Sequence, residues 1–154
     1  MTNHTLQKQL FQTGSFLAGT ALALGAFGAH ALREQITDQY LNVYETGVRY
    51  QFFHAFALLI LAVFLRRLHE KTVKLAFFLF TSGAIIFSGS LYLLSTSMLW
   101  YGEDLKWLGG ITPIGGVALI TGWLLMAVKG YKYTSSEESH SSRSSRKHKT
   151  SETS

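Results

Sequence analysis

Four stretches of the chain, Gly14–Leu32, Val48–Leu65, Leu75–Leu94 and Ile111–Val128, run for about the thickness of a bilayer without an Asp, Glu or Lys. A hydrocarbon core of ~30 Å is crossed by about 20 mostly apolar residues in a helix. Arg49, one residue inside the second stretch, is the one firm charge in any of them. Hydrocarbon offers no partner for an open backbone group, so such segments must be helices. A soluble bundle would need polar faces, and the third stretch, LAFFLFTSGAIIFSGSLYLL, has no charge on any face. Charged residues make up 15% of the chain, against about 25% in an average soluble domain. The expectation is an all-α membrane protein, a four-transmembrane-helix bundle. Residues 1–13 are read as a cytoplasmic segment, 14–130 as the membrane domain and 131–154 as a disordered tail.

Lys and Arg set the direction of the spans. Lys8, the connection holding Arg66, Arg67, Lys71 and Lys74, and six bases after Val128 fall on one side; Arg33, Arg49 and Lys106 fall on the other. Eleven against three places both chain ends in the cytoplasm, as an N-in/C-in topology. The implied location is the cell (inner) membrane, or the mitochondrial inner membrane in a eukaryote. Ala29-His30-Ala31 after the first apolar run has the small-x-small form of a signal-peptide site, but the leader before that run is long and polar with one base. The connection Arg33–Gly47 mixes apolar and acidic residues and reads as an interfacial amphipathic helix running into the second span.

Small residues at Gly14, Ala18, Ala21, Gly25 and Gly28 alternate at spacings of four and three, which puts them on one stripe of the first span. Small residues let helices approach closely in lipid, so the stripe is a candidate packing seam, joined by Gly115 and Gly116 at the start of span four. Thr112 and Pro113 suit a helix start. In span three, Thr81, Ala84, Ser88, Tyr92 and Ser95 form a polar or small stripe that suits a protein contact.

With the spans alternating in direction, polar groups from all four fall in the outer half: His30, then Glu45, Arg49, Gln51 and His54, then Ser88, Ser90 and Tyr92, then Thr112. Ionisable groups at membrane depth mark candidate sites. Glu45 and Arg49 are also four residues apart, a helical ion-pair spacing. These groups are either a ligand or proton site, or interhelical clamps with Arg49 reaching to head groups. His30, His54 and Glu45 lack the spacing of a metal centre, so no metal and no cofactor is expected.

Catalytic patterns are missing. Phe87–Leu91 lacks the glycines of a nucleophile elbow. Gly110–Gly116 has the glycine spacing of a phosphate loop without its Lys and Ser or Thr. The chain has no cysteine. Of the net charge of +5, three units come from the Ser/Thr-rich tail. There Arg143, Arg146, Lys147 and Lys149 are candidate contacts for anionic lipid head groups. No nucleic-acid partner is expected; a homo-oligomer or a membrane complex is.

Gly25–Leu32 (GAFGAHAL), Tyr50–Leu58 (YQFFHAFAL), Phe87–Tyr92 (FSGSLY) and Leu108–Gly116 (LGGITPIGG) with Gly122-Trp123 occur in this order. Together they resemble the small inner-membrane proteins of domain-of-unknown-function family 423, which has bacterial members and a eukaryotic mitochondrial relative. The resemblance covers about residues 14 to 130 and implies an uncleaved first helix. It implies no biochemical activity, and the basic tail departs from the family pattern. The functional expectation is a non-enzymatic membrane protein that binds or passes a small polar ligand or ion. The alternatives are an accessory subunit with a purely structural polar cluster, and an intramembrane enzyme.

Overall fold

The computed structural model describes residues 3–103 and 105–131, and four helices account for most of them. They are α1 (Asn3–Phe27), α2 (Asp38–Phe64), α3 (Glu70–Tyr101) and α4 (Thr112–Lys129). A π-helical turn, Gly28–Leu32, follows α1, and 3-10 turns at Leu65–Arg67 and Lys106–Gly110 follow α2 and precede α4. All four helices are long and apolar enough to cross a membrane. The tail bases Arg143, Arg146, Lys147 and Lys149, and the expected disorder of 132–154, lie outside the described residues.

Helix ends follow local chemistry. Thr37 caps α2, its hydroxyl accepting from the Tyr40 N–H at 3.4 Å. Gly102 ends α3 at a φ of 67°, a left-handed geometry natural to glycine. Thr112 is the first residue of α4 and does not cap it. Its hydroxyl lies 2.8 Å from that of Ser90 instead, because a hydroxyl between two apolar helices gains more from a partner there than from a helix end open to water.

The helices overrun the apolar stretches. At ~1.5 Å per residue, the 32 residues of α3 extend about 48 Å, well past a ~30 Å core. α2 begins at Asp38 instead of Val48, so the expected interfacial helix is the first turns of α2 itself. A second helix would need a break, and nothing between Asp38 and Gly47 supplies one. α1 begins at Asn3, and Leu6 and Leu10 are buried in the main apolar core. Residues 3–13 are therefore part of the bundle.

α1 packs on α2, α2 on α3, and α3 on α4, whereas α1 and α4 form no seam. The apolar core occupies the end at which α1 begins and α4 ends, where Leu6 and Leu10 cluster with Leu58, Leu61, Leu65 and Val73. Gln7 Nε2 donates to Ala62 O at 3.0 Å there. At the same end the His69 N–H donates to Gly130 O at 2.9 Å, and Leu68 bridges Tyr131.

Candidate functional site

Gln51 is the hub of the polar set and is 6% exposed. Its Nε2 donates to Leu17 O at 3.0 Å and to the Thr20 hydroxyl at 2.8 Å on α1. Its Oε1 accepts from the Tyr92 hydroxyl of α3 at 2.9 Å. One amide thus ties three helices together, with both N–H groups and the oxygen engaged. Close by, Tyr92 packs on Tyr44 with ring centroids 4.9 Å apart, and the Tyr44 hydroxyl donates to Leu24 O at 3.1 Å. Gly47 makes room for this contact: a Cβ there would meet Tyr92 Cε1 at 2.9 Å.

His54, 4% exposed, joins α2 to α4. Its Nδ1 lies 2.7 Å from Tyr50 O, and Trp123 Nε1 donates to its Nε2 at 3.1 Å. A carbonyl can only accept and an indole N–H can only donate. The ring is therefore the neutral tautomer with its proton on Nδ1, and neither nitrogen is free. Phe80 packs against both partners, its centroid 5.5 Å from His54 and 5.0 Å from Trp123. The third junction is Ser90 with Thr112, between α3 and α4. Ser88 is buried beside Gly47, and its hydroxyl has no partner among the described residues.

The nine expected polar residues are thus not one cluster. Gln51 and Tyr92 form one junction, His54 a second with Trp123, Ser90 and Thr112 a third. His54 does not mark the outer end of its helix, because α2 starts at Asp38 and His54 falls past its middle. His30, Glu45 and Arg49 are exposed and join none of the three. Arg49 donates to the Thr46 hydroxyl at 3.2 Å, and the expected Glu45–Arg49 ion pair is not formed among the described residues. An exposed pair at this spacing is worth only ~0.3–0.5 kcal/mol, too little to hold two flexible side chains together.

Of the small residues, Gly14, Ala21 and Gly28 are buried, while Ala18 and Gly25 are half-buried. A Cβ at Gly14 would meet Ala55 O at 3.0 Å, one at Gly25 would meet Val48 Cγ1 at 3.3 Å, and one at Gly28 would meet Tyr44 Cε1 at 2.8 Å. The stripe therefore lies against α2. Gly115 sits on the Phe87 backbone of α3, but Gly116 faces only ordinary contacts at 3.7 Å. Sequence reasoning missed Thr20, Tyr44 and Trp123. Trp123 carried a signal: a buried indole N–H usually finds an acceptor, and within an apolar span that acceptor comes from another helix.

The described clefts lie away from these junctions. One of about 290 Å³ runs along the α1–α2 seam, lined by Leu22, Gly25, Ala26, Arg49, Phe52 and Phe53 among others. One of about 420 Å³ lies where α1 ends and α2 begins, lined by Ala29, Arg33, Asp38, Leu41, Asn42 and Glu45. A third, of about 790 Å³, lies at the opposite end between His69, Lys71 and Lys129.

A family model described as a protein of unknown function, DUF423, matches residues 24–116. The UPF0382 membrane protein YwdK of Bacillus subtilis is 42% identical over 121 residues, 78% of this chain and 94% of that protein. A UPF0382 membrane protein of Staphylococcus aureus is 42% identical over 120 residues, 78% of this chain and 93% of its own. One from Staphylococcus haemolyticus is 36% identical over the same share of both chains. No solved structure matches.

Proposed function

The chain belongs to DUF423, a family of membrane proteins of unknown function, and from that premise we propose that it is a non-enzymatic accessory protein of the cell membrane. In this reading both chain ends face the cytoplasm, and in a eukaryote the membrane is the mitochondrial inner membrane. The interior polar groups are a frame that fixes the helices, and the protein acts through the surfaces it turns to lipid and to membrane partners, a second copy of the chain among them. The observation that carries this reading is the engagement of Gln51 and His54. A general base or a ligand site needs a lone pair or a donor to spare, and His54 has both nitrogens committed while Gln51 spends both N–H groups on α1.

The test uses the purified full chain in lipid nanodiscs. His54→Phe and Gln51→Leu are expected to lower the unfolding midpoint, and a panel of inorganic ions and small polar solutes is expected to leave the wild-type midpoint unmoved. A solute that raises the wild-type midpoint but not that of His54→Phe overturns the reading in favour of a binding site. One observation supports that second reading: the Ser88 hydroxyl is buried without a protein partner, so a small polar molecule at Ser88 would gain a hydrogen bond that the bundle leaves open. Ser88→Ala would then abolish the solute-dependent shift.

A further inference from the structure

The two clefts on α1 and α2 are successive parts of one lateral groove. On α2, Asp38, Asn42, Glu45, Arg49 and Phe52 follow at spacings of four, three, four and three, which places them on one face of the helix. On α1, Leu22 and Ala26 and then Ala29 and Arg33 of the following turn continue along a matching face. Gln51 and Thr20 lie on the other flank of the seam, toward α3. The groove is therefore open to the bilayer, and its polarity changes once along its length. Between Leu22, Gly25, Ala26, Phe52 and Phe53 it is apolar. From Arg49 outward it presents Arg33, Asp38, Asn42 and Glu45. Two bases face two acids, and no ion pair joins them among the described residues.

We propose that this groove holds one glycerophospholipid whose head group carries a phosphate and a primary ammonium, as in phosphatidylethanolamine. An acyl chain lies along Gly25 and Ala26, where small side chains leave the seam open. The phosphate meets Arg49 at the boundary, with Arg33 beyond it, and the ammonium donates to Asp38 and Glu45. The clefts of about 290 and 420 Å³ are of a size typical of small-molecule sites. Charge selects the occupant. An anionic lipid would satisfy the arginines and leave two carboxylates facing its net charge. A partner helix of uniform apolarity would leave all four charges unpaired at the membrane boundary, a costly arrangement. A soluble zwitterion would leave the apolar half unfilled. This inference goes beyond the reading of the polar frame and does not depend on it, since the groove shares no residue with the three junctions.

The full chain, stripped in detergent, is titrated with phosphatidylethanolamine, phosphatidylcholine and phosphatidylglycerol of identical acyl chains, and bound lipid is counted by native mass spectrometry. Phosphatidylethanolamine is expected to bind as one copy and tightest. Phosphatidylcholine, whose ammonium has no N–H, and phosphatidylglycerol are each expected to bind about tenfold more weakly, the loss of one charge-assisted contact. Arg49→Gln, Asp38→Asn with Glu45→Gln, and Ala26→Phe change exposed side chains, so the bundle folds and each reduces retention to the level of the other lipids. Equal retention of all three lipids, or retention unchanged in Ala26→Phe and Arg49→Gln, overturns the proposal. So does a dimer in the same spectra that Ala26→Phe dissociates, which would assign the groove to a second copy.

Discussion

Two adjacent glycines separate what sequence tells about a residue from what only packing tells. Gly115 and Gly116 read alike as small residues in the first turn of α4, and only the rotation of that helix distinguishes them. A methyl group on Gly115 would lie 2.5 Å from Phe87 N and 2.8 Å from Phe87 Cα, backbone atoms that cannot turn aside. Gly115→Ala should therefore lower stability by about 1–3 kcal/mol, a cost of overpacking. Gly116→Ala should stay within about 0.5 kcal/mol, as for an ordinary surface change. Reversible unfolding of the two variants in mixed micelles, followed by far-UV circular dichroism, checks both. At Gln51 the loss is of hydrogen bonds: Gln51→Leu leaves the Tyr92 hydroxyl without its acceptor, while Leu17 O keeps the Thr20 hydroxyl, a cost of about 1–3 kcal/mol. The same measurement reads it. Gln51, Tyr92 and His54 were legible as polar residues in apolar spans. Their partners were not, because cross-helix pairing depends on rotation and register that no single span encodes.

At the scale of the element, the apolar stretches located all four helices but not their ends. Hydropathy reports the part of a helix that lies in hydrocarbon, whereas the backbone stays helical until a breaker intervenes. Asp38–Gly47 and Asn3–Thr13 hold no Pro, and no Gly interrupts them before Gly47, so α2 and α1 run on through polar sequence. The consequence for α1 is energetic. Leu6 and Leu10 are 1% and 0% exposed, and they belong to the same core as Leu58 and Leu61 of α2, so truncating either leaves a cavity. Leu10→Ala is expected to cost about 2–5 kcal/mol, while Phe11→Ala, at an exposed position, should cost under 1 kcal/mol in the same unfolding assay. Equal losses at the two positions would mean that residues 3–13 are not docked.

For the molecule as a whole, the fold class was legible because four apolar segments with Arg49 as their one charge leave few architectures open in lipid. The polar set was legible as to residue and not as to arrangement: topology assigns all the groups to one half of the bundle, but they divide among three separate junctions, His54 lying past the middle of α2, and one groove. The groove was hidden for a further reason, since three of its charges, Arg33, Asp38 and Glu45, lie in the stretch Arg33–Gly47 that read as an interfacial helix and not as a wall of the bundle. The order of packing, α1 to α2 to α3 to α4 with no α1–α4 seam, was not legible at all. It predicts that a chain ending after Gly102 keeps the α1–α2–α3 packing, including the Gln51 junction. Cross-linking of a cysteine pair placed at Gly25 and Val48, which face each other across the α1–α2 seam, in the truncated and full chains, checks this; loss of the cross-link on truncation would mean that α4 is needed to close the bundle.

Because the three main seams each join neighbours in sequence, each helix can settle against the one made just before it while the ribosome is still working. α1 has no seam with α4 to wait for, and the His54–Trp123 contact between α2 and α4 closes last. Such a protein matures by accretion as it leaves the insertion machinery, and its yield should depend little on how fast translation proceeds.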